Sequence, residues 1–432
     1  MIVVDALIET ATERAGSDDF ERVYSLRGGY IGSLATFDPF KHGIVPSDVQ
    51  TGDIDQFLAL RAATAAVEDS GIDLASVHRD RVEVIIGHST YFTPGIINWY
   101  QMGVALDQTV EVMRDLNPDI SAQEVARIRE ALKKSLPKMT PQTPATLIPN
   151  IIAGRIANRM DLMGRSYILD AACATSHIAV ENAMKDLLTD GCDYVVVGAT
   201  QTSVLVLETM LFCALGAMSR HPELRPFDKG ADGTMLGEGV GVLVLRRTKD
   251  AERDGNSIYA VIRGVGTASD GRAKAMLAPR LEGQAMAIGR AYQSAGVDPR
   301  TVQLIEAHGT GIPLGDATEM SALTEVFGPR EGPRPTCGVG TIKSMIGHCR
   351  SASGIAGIIK ATLALHHKIL PPTLHCSEPN PDLNLGSTPF YINTETRPWV
   401  RPAGGRPRRA GVSAMGFGGI NAHCVLEEHN GN

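Results

Sequence analysis

The sequence predicts an α/β protein, and three observations carry that expectation. Short apolar runs rich in β-branched residues recur along the 432 residues, and stretches with helical periodicity alternate with them. The composition, 43% hydrophobic and 21% charged with 45 Gly and 24 Pro, suits a chain that buries a large core. Length alone suggests two or three domains, or one large α/β body. Expected strands are Val82–Gly87, Tyr167–Ala171, Tyr194–Gly198, Val240–Leu245, Tyr259–Gly264 and Val302–Ala307, with a C-terminal pair near Ala410–Ala414 and Ala422–Glu427. Helices are expected over Asp55–Asp69, Ser176–Leu188, Leu281–Ser294, Asp316–Phe327 and Ser353–His366. Ser121 followed by Glu124 forms a capping box for a charged helix that stops before Pro137. That helix sits in a long excursion between the first two strands, a length that suits a cap or a subunit contact. The polar stretch Arg247–Ser257 reads as a connector between two halves.

Several function classes are excluded early. A net charge of −7 leaves no electrostatic footprint for nucleic acid, although a local basic patch could still receive an acidic partner. Seven cysteines stand at positions 173, 192, 213, 337, 349, 376 and 424, with no CxxC pair and an odd total. Reduced, mostly buried thiols are expected, at most one of them reactive. No apolar run reaches the roughly 18 residues that suggest a membrane span. The segment MIVVDALIETATE acquires Asp5 and Glu9 too early for a signal peptide, so a cytoplasmic location is the default expectation.

The chemistry concentrates in three places. Asp170-Ala-Ala-Cys173-Ala-Thr-Ser176 joins a strand to a helix, with small residues on both sides of the thiol. A lone Cys is usually a buried structural residue. At a strand-to-helix turn it gains substrate access and the positive end of a helix dipole, which favours thiolate. Glu306-Ala-His308-Gly-Thr310-Gly-Ile312 sets a His among glycines just past a strand, and Gly338-Val-Gly-Thr-Ile-Lys343-Ser-Met-Ile-Gly-His348 does so again with a Lys in reach. Two imidazole N–H donors suit an enolate oxygen formed by loss of CO₂ in a water-excluded site. Zinc is disfavoured because the spacings match no closed site, and a phosphate loop fails because Ile342 precedes the Lys. His366, His367 and His375 fall at a helix end and in a Pro-rich turn, where surface or capping roles are expected. Ser413-Ala-Met-Gly416-Phe417-Gly418-Gly419-Ile420-Asn421-Ala-His423 links the last two strands, and its glycines permit a gate with backbone donors.

Taken in order, ACATS, EAHGTG, KSMIGH and GFGGINAH make the chain resemble the β-ketoacyl-acyl carrier protein synthases, the elongating Cys-His-His branch of the thiolase superfamily. The resemblance runs from about Arg27 to Glu428. Asp228-Lys229 and Asp232-Gly-Thr-Met-Leu-Gly-Glu-Gly239 match a further family segment near the active site. RGGYIGSLATFDP, IPNIIAGRIANRMDLMG and PPTLHCSEPNP are most similar to ketosynthases of type I polyketide, polyunsaturated-fatty-acid and enediyne synthases. Gly357 fits that group, since discrete fatty-acid synthases tend to carry an acidic residue there.

The resemblance implies two thiolase-like halves, 1–250 and 251–432, forming a five-layered α-β-α-β-α body that is normally a homodimer. The segment Ile148–Met160 matches one at the family's dimer interface. It further implies a ping-pong cycle on acyl and malonyl thioesters delivered by the phosphopantetheine arm of an acyl carrier protein, with no metal or redox cofactor. Cys173 would be the nucleophile, and His308 and His348 would assist decarboxylation. Lys343 would hold local charge, and the amides of Cys173 and Phe417 would form the oxyanion hole. Thr310, Ile312, Gly418, Gly419, Ile420 and Asn421 would line the substrate channel.

Three departures accompany it. No clear match to the family's Gly-containing opening strand precedes Arg27. Ile312 and Ile420 stand where the family usually has Thr against the pantetheine arm. No acyltransferase or carrier-protein sequence follows, so a free-standing enzyme or an excised domain is expected. Among competing functions, a chain-length-factor scaffold would lack Cys173, and a non-elongating acyl-transfer member would lack His348. A degradative thiolase would need a second cysteine within the glycine loop, but Cys424 lies after His423.

Overall fold

Two sheets form from the β-branched runs, whose stiff side chains suit a pleated, buried surface. The computed structural model describes residues 23–89, 93–136, 138, 143–272 and 275–429. The first sheet comprises β1 (Val82–His88), β2 (Ser166–Leu169), β3 (Tyr194–Gln201) and β4 (Gly239–Arg246), in the order β2-β1-β3-β4. The chain continues through β5 (Val261–Ser269), β6 (Leu304–Glu306), β7 (Cys337–Gly340), β8 (Ile369–Leu370), β9 (Phe390–Ile392) and β10 (Arg397–Pro398). It ends on the hairpin of β11 (Arg409–Gly416) and β12 (Ile420–Glu427). The second sheet runs β5-β12-β11-β6-β7-β9, and β8 and β10 pair as a separate ribbon. Inside it, β7-β6-β11-β12 repeats the order and strand directions of β2-β1-β3-β4: two parallel pairings, then one antiparallel.

Helices fill three layers around the two sheets, making five layers in all. Ile54–Ser70 and Ile151–Met160 cover the outer face of the first sheet, Thr175–Leu188 and Ser353–His367 lie between the sheets, and Leu281–Ala295 and Pro313–Phe327 cover the far face of the second. Covering both faces explains why the strands read as continuous apolar runs rather than alternating ones. In β3, Val195 and Val197 enter the central core while Val196 enters the outer one, since successive strand side chains face opposite ways.

Some boundaries differ from those the sequence predicts. The strand expected over Tyr167–Ala171 stops at Leu169, because Asp170 Oδ1 accepts the Ala172 N–H at 2.9 Å and starts a turn. The strand expected from Tyr259 begins at Val261 and runs to Ser269. The connector Arg247–Ser257 contains a short helix, Thr248–Arg253, whose entry is tied down by Arg247 to Cys192 O and Asp250. The N-cap half of the expected capping box forms, Ser121 Oγ accepting the Glu124 N–H at 3.1 Å at the head of the helix Ala122–Ser135, while the Glu124 carboxylate pairs with Arg127. Ile152, expected at a subunit interface, packs instead into its own core beside Phe57, Val84 and Ile86. The expectations about residues 1–22 and about Pro137 lie outside the described residues.

Candidate active site

Cys173 sits on the turn between β2 and the helix Thr175–Leu188. Ala172 in that turn has φ +49°, a left-handed conformation that costs a residue with a Cβ about 1–2 kcal/mol. The surroundings hold it there: Thr175 Oγ1 accepts the Ala171 N–H at 2.7 Å and donates to Ala172 O at 2.6 Å. The thiol ends 6% exposed at the floor of the site.

Each histidine is set by the loop that carries it. His308 follows β6, and the Glu319 carboxylate accepts its N–H at 2.7 Å and that of Gly309 at 2.9 Å. Lys343 Nζ donates to His308 O at 2.5 Å. His348 lies against the strand-like segment at Leu236, its N–H donating to Met235 O at 2.7 Å and its carbonyl accepting the Gly237 N–H at 3.0 Å. A Cβ at Gly237 would fall 2.2 Å from Ile346 O, so only glycine permits this approach.

The ring contacts define the chemistry. His348 Nε2 is 3.1 Å from Cys173 Sγ. Its Nδ1 accepts the Arg350 N–H at 3.3 Å and lies 2.7 Å from Ser353 Oγ. A nitrogen that accepts from an amide carries no proton, which leaves the neutral ring protonated on Nε2, facing the sulfur. His308 Nδ1 likewise accepts the Met415 N–H at 3.3 Å, so its Nε2 carries the ring proton too. The two rings stand 5.4 Å apart, nearly perpendicular at 89°. Two fixed N–H donors thus share one small space with a thiol.

Burial dominates the electrostatics. It pushes the Cys173 thiol up to about 11, outweighing the opposing pull of Lys343, Arg350 and the Phe417 N–H that faces the sulfur. Desolvation thus outweighs the influences that favour the thiolate, and the resting group is a thiol. Burial, reinforced by Lys343, holds both His308 and His348 well below the ordinary histidine value, and both rings are neutral. Lys343 is itself lowered by burial against the opposing charges of Glu306 and Glu319.

The other predicted residues fall into distinct places. Phe417 is 38% exposed, and its ring leans on Phe212 at 5.7 Å. Gly418 and Gly419 beside it take φ of +89° and +77°. Asn421 is buried and donates to Asp270 Oδ1 at 2.7 Å, while Asp270 N–H donates to Gly419 O at 2.8 Å, so Asn421 anchors the glycine loop. Thr310 is buried, with its N–H toward the Asp316 carboxylate. Ile312 packs with Phe212, Cys213, Met218 and Leu236, and Ile420 packs with Ala174, Ala414 and Ala422. Asp228 stitches the turn at Ser377, accepting the N–H groups of Ser377 at 2.8 Å and Glu378 at 3.0 Å. A Cβ at Gly357 would lie 3.2 Å from both Glu306 Cγ and Val412 Cγ1, beside the ion pair of Glu306 and Lys360 at 2.7 Å. All seven cysteines are free and buried.

Sequence reasoning missed Glu319, Asp270, Ser353, Arg350 and Glu208. Glu319 carried a signal, three residues past Asp316 at the head of a helix whose acidic residues point back to a His loop. Among the described residues, no group of His, Cys, Asp and Glu is arranged to hold a metal ion, and no helix is long and apolar enough to cross a membrane.

Known proteins match this chain along most of its length. The Beta-ketoacyl synthase N-terminal domain matches residues 7–251, and the Beta-ketoacyl synthase C-terminal domain matches residues 259–377. A polyunsaturated fatty acid synthase of Thraustochytrium sp. (strain ATCC 26185 / S-3) is 38% identical over 94% of this chain and 14% of that protein. Polyketide synthase PksN of Bacillus subtilis (strain 168) is 35% identical over 93% of this chain and 7% of that protein. The ketosynthase from module 6 of the bacillaene synthase of Bacillus subtilis 168 superposes with a TM-score of 0.75 at 31% identity, over 92% of this chain and 63% of that one. The oxazolomycin ketosynthase domain of Streptomyces albus JA3453 gives 0.78 at 30% identity, over 96% and 66%. The chain spans a small part of the length of the curated synthases it matches. With both domains matched in order and the fold shared, the chain belongs to the β-ketoacyl synthase family of thiolase-fold acyltransferases.

Proposed function

We propose that the chain is an elongating ketosynthase in which Cys173 carries the growing acyl group and the two histidines drive the decarboxylation of a malonyl-type extender. The observation that carries this reading is the contact of His348 Nε2 with Cys173 Sγ at 3.1 Å, with His308 beside it. An acyl carrier protein presents an acyl thioester on its phosphopantetheine arm. Cys173 sulfur attacks that carbonyl, the C–S bond to the arm breaks, and the thiol proton leaves with the departing pantetheine. Malonyl carrier protein follows, and its terminal carboxylate departs as CO₂. The electron pair left behind forms an enolate, whose oxygen accepts the Nε2–H groups of His308 and His348. The enolate carbon then attacks the acyl-Cys173 carbonyl, and the new oxyanion sits on the N–H groups of Cys173 and Phe417. Collapse of that intermediate breaks the bond to Cys173 and expels the sulfur as thiolate, which takes up one proton from solvent to restore the resting thiol.

This scheme needs no metal or redox cofactor, because every charge that develops meets an N–H donor. Lys343 bonds the backbone behind His308 and acts on the ring as a fixed charge. The gate role of Phe417 is supported by its exposure and its lean on Phe212. Homodimerisation is supported by the exposed apolar side chains of Trp99, Tyr100, Ile148 and Met163 and by the half-buried edge strand β2.

Intact-protein mass spectrometry tests the reading directly. Wild-type chain incubated with an acyl thioester should gain one acyl mass at Cys173, then lose it to malonyl carrier protein as a β-ketoacyl product. Cys173→Ala should keep the fold and gain no acyl mass. Acylation that persists in the Ala variant would remove Cys173 from the mechanism.

A further inference from the structure

Directly behind His348 lies a buried ion pair that the condensation scheme does not use. Arg350 is 2% exposed and Glu208 is fully buried, and Arg350 Nη1 meets Glu208 Oε2 at 2.6 Å. Arg350 Nη2 donates to Ser203 O at 2.9 Å and to Gly237 O at 3.3 Å. Stability alone is a poor reason for such a pair, since apolar side chains of similar volume usually serve a core equally well or better. The backbone beneath it is also unusual. Arg350 has φ +48°, a strained value for a long side chain, and in that conformation its N–H reaches His348 Nδ1. The anchored guanidinium and the strained amide on the catalytic ring belong to the same residue.

Glu208 supplies the other end of the connection. It lies on the helix Val206–Ala214, one turn before Phe212, the residue on which Phe417 leans. The same helix therefore holds Arg350 through Glu208 and the gate through Phe212.

We propose that the Glu208–Arg350 pair is a positioning device for His348: it clamps the left-handed backbone at residue 350, whose N–H keeps the His348 proton on Nε2. The pair also fixes that ring relative to the helix under the gate. Arg350 is a positioning residue, acting on substrate only through His348. Its charge lies close enough to favour the Cys173 thiolate and the neutral His348 ring. The proposal rests on the role given to His348 above, so its test includes a readout independent of turnover.

The test compares wild type with Arg350→Met, Glu208→Leu and the double variant, all in the full chain. The double variant replaces the pair by apolar side chains of similar size and should melt close to wild type. Its decarboxylation of malonyl carrier protein should fall about 10- to 100-fold, the cost of a misplaced catalytic group. In ¹⁵N-histidine spectra the His348 ring, identified by its loss in His348→Ala, should move from a single Nε2–H form to a mixture with Nδ1–H. Arg350→Lys keeps the charge but loses the forked contacts, and should fall between the two. A double variant with wild-type decarboxylation and an unchanged His348 spectrum would overturn the proposal, and so would wild-type behaviour of Arg350→Lys if the double variant does not fold. Should the wild type itself fail to decarboxylate, the reading of His348 falls, while the nitrogen spectrum still decides the positioning claim.

Discussion

Alkylation of Cys173 by iodoacetamide should climb about tenfold for each pH unit between 7 and 10, because only thiolate reacts. Burial sets the size of the effect. With the thiol pushed up to about 11, the thiolate is about one part in a thousand at pH 8, against roughly a quarter for an exposed cysteine. Cys173 should therefore react about 200-fold more slowly at pH 8 than a small free thiol, before any steric factor. Lys343 is the largest opposing influence, so Lys343→Met should slow the reaction further at every pH. The linkage has a definite sign. The folded-state value lies above the unfolded one of about 8.5, so the stabilisation is complete below that pH and is lost as pH rises through 11. Relative to Cys173→Ala, wild type should lose about 3 kcal/mol of stability across that window. The assay is the second-order rate of mass gain at Cys173, read by peptide mapping from pH 6 to 10.5. A plateau reached below pH 8 would refute the argument, since it would mean that the helix terminus and the nearby cations outweigh desolvation.

The remaining predictions concern the donors and the apolar walls. His308→Ala and His348→Ala should each still permit acylation of Cys173 while slowing malonyl decarboxylation by about 3 kcal/mol, read as CO₂ release; a wild-type rate in either would contradict its role as a donor. Ile312→Thr and Ile420→Thr should each lower stability by about 1 kcal/mol, because each places a hydroxyl in an apolar cluster, and neither should lower KM for a free pantetheine thioester. A several-fold drop in KM without a change in melting temperature would instead put both side chains in the channel.

Much of this molecule is legible in its sequence because burial on both faces writes strands as unbroken apolar runs. Val82–His88 and Tyr194–Gln201 are fully buried along their length, and they are the clearest strands to read. The thiol and the two histidines beside it are legible for a different reason: Cys173, His308 and His348 each stand in a short motif of small residues. What escapes is the support behind them. Arg350 and Glu208 are 142 positions apart, and nothing local in either segment announces a pair. The thiol's titration escapes for a related reason, since a helix terminus is visible in sequence whereas the depth at which it is buried is not. Ile312 and Ile420 show the same limit. Their places in the motifs are plain, but whether they face substrate or core depends on neighbours such as Phe212 and Ala174 that arrive from elsewhere in the chain.

The repeated strand order has a consequence for how the labour of the reaction is divided. β2 and β7 hold equivalent places in the two sheets, and each leads into a turn and then a helix of the central layer. Cys173 follows the first of these strands, and Lys343 and His348 follow the second. β1 and β6 are equivalent too, and a histidine stands near the end of each: His308 on the loop after β6, and His88 at the last position of β1. His88, however, is shut in 3.5 Å from Asp55 and serves the interior. In the proposed scheme, this repeated architecture lets one copy hold the covalent cargo and the other stabilise charge. Neither copy alone contains a complete set of reacting groups, so the fold enforces cooperation between its halves at the level of single side chains.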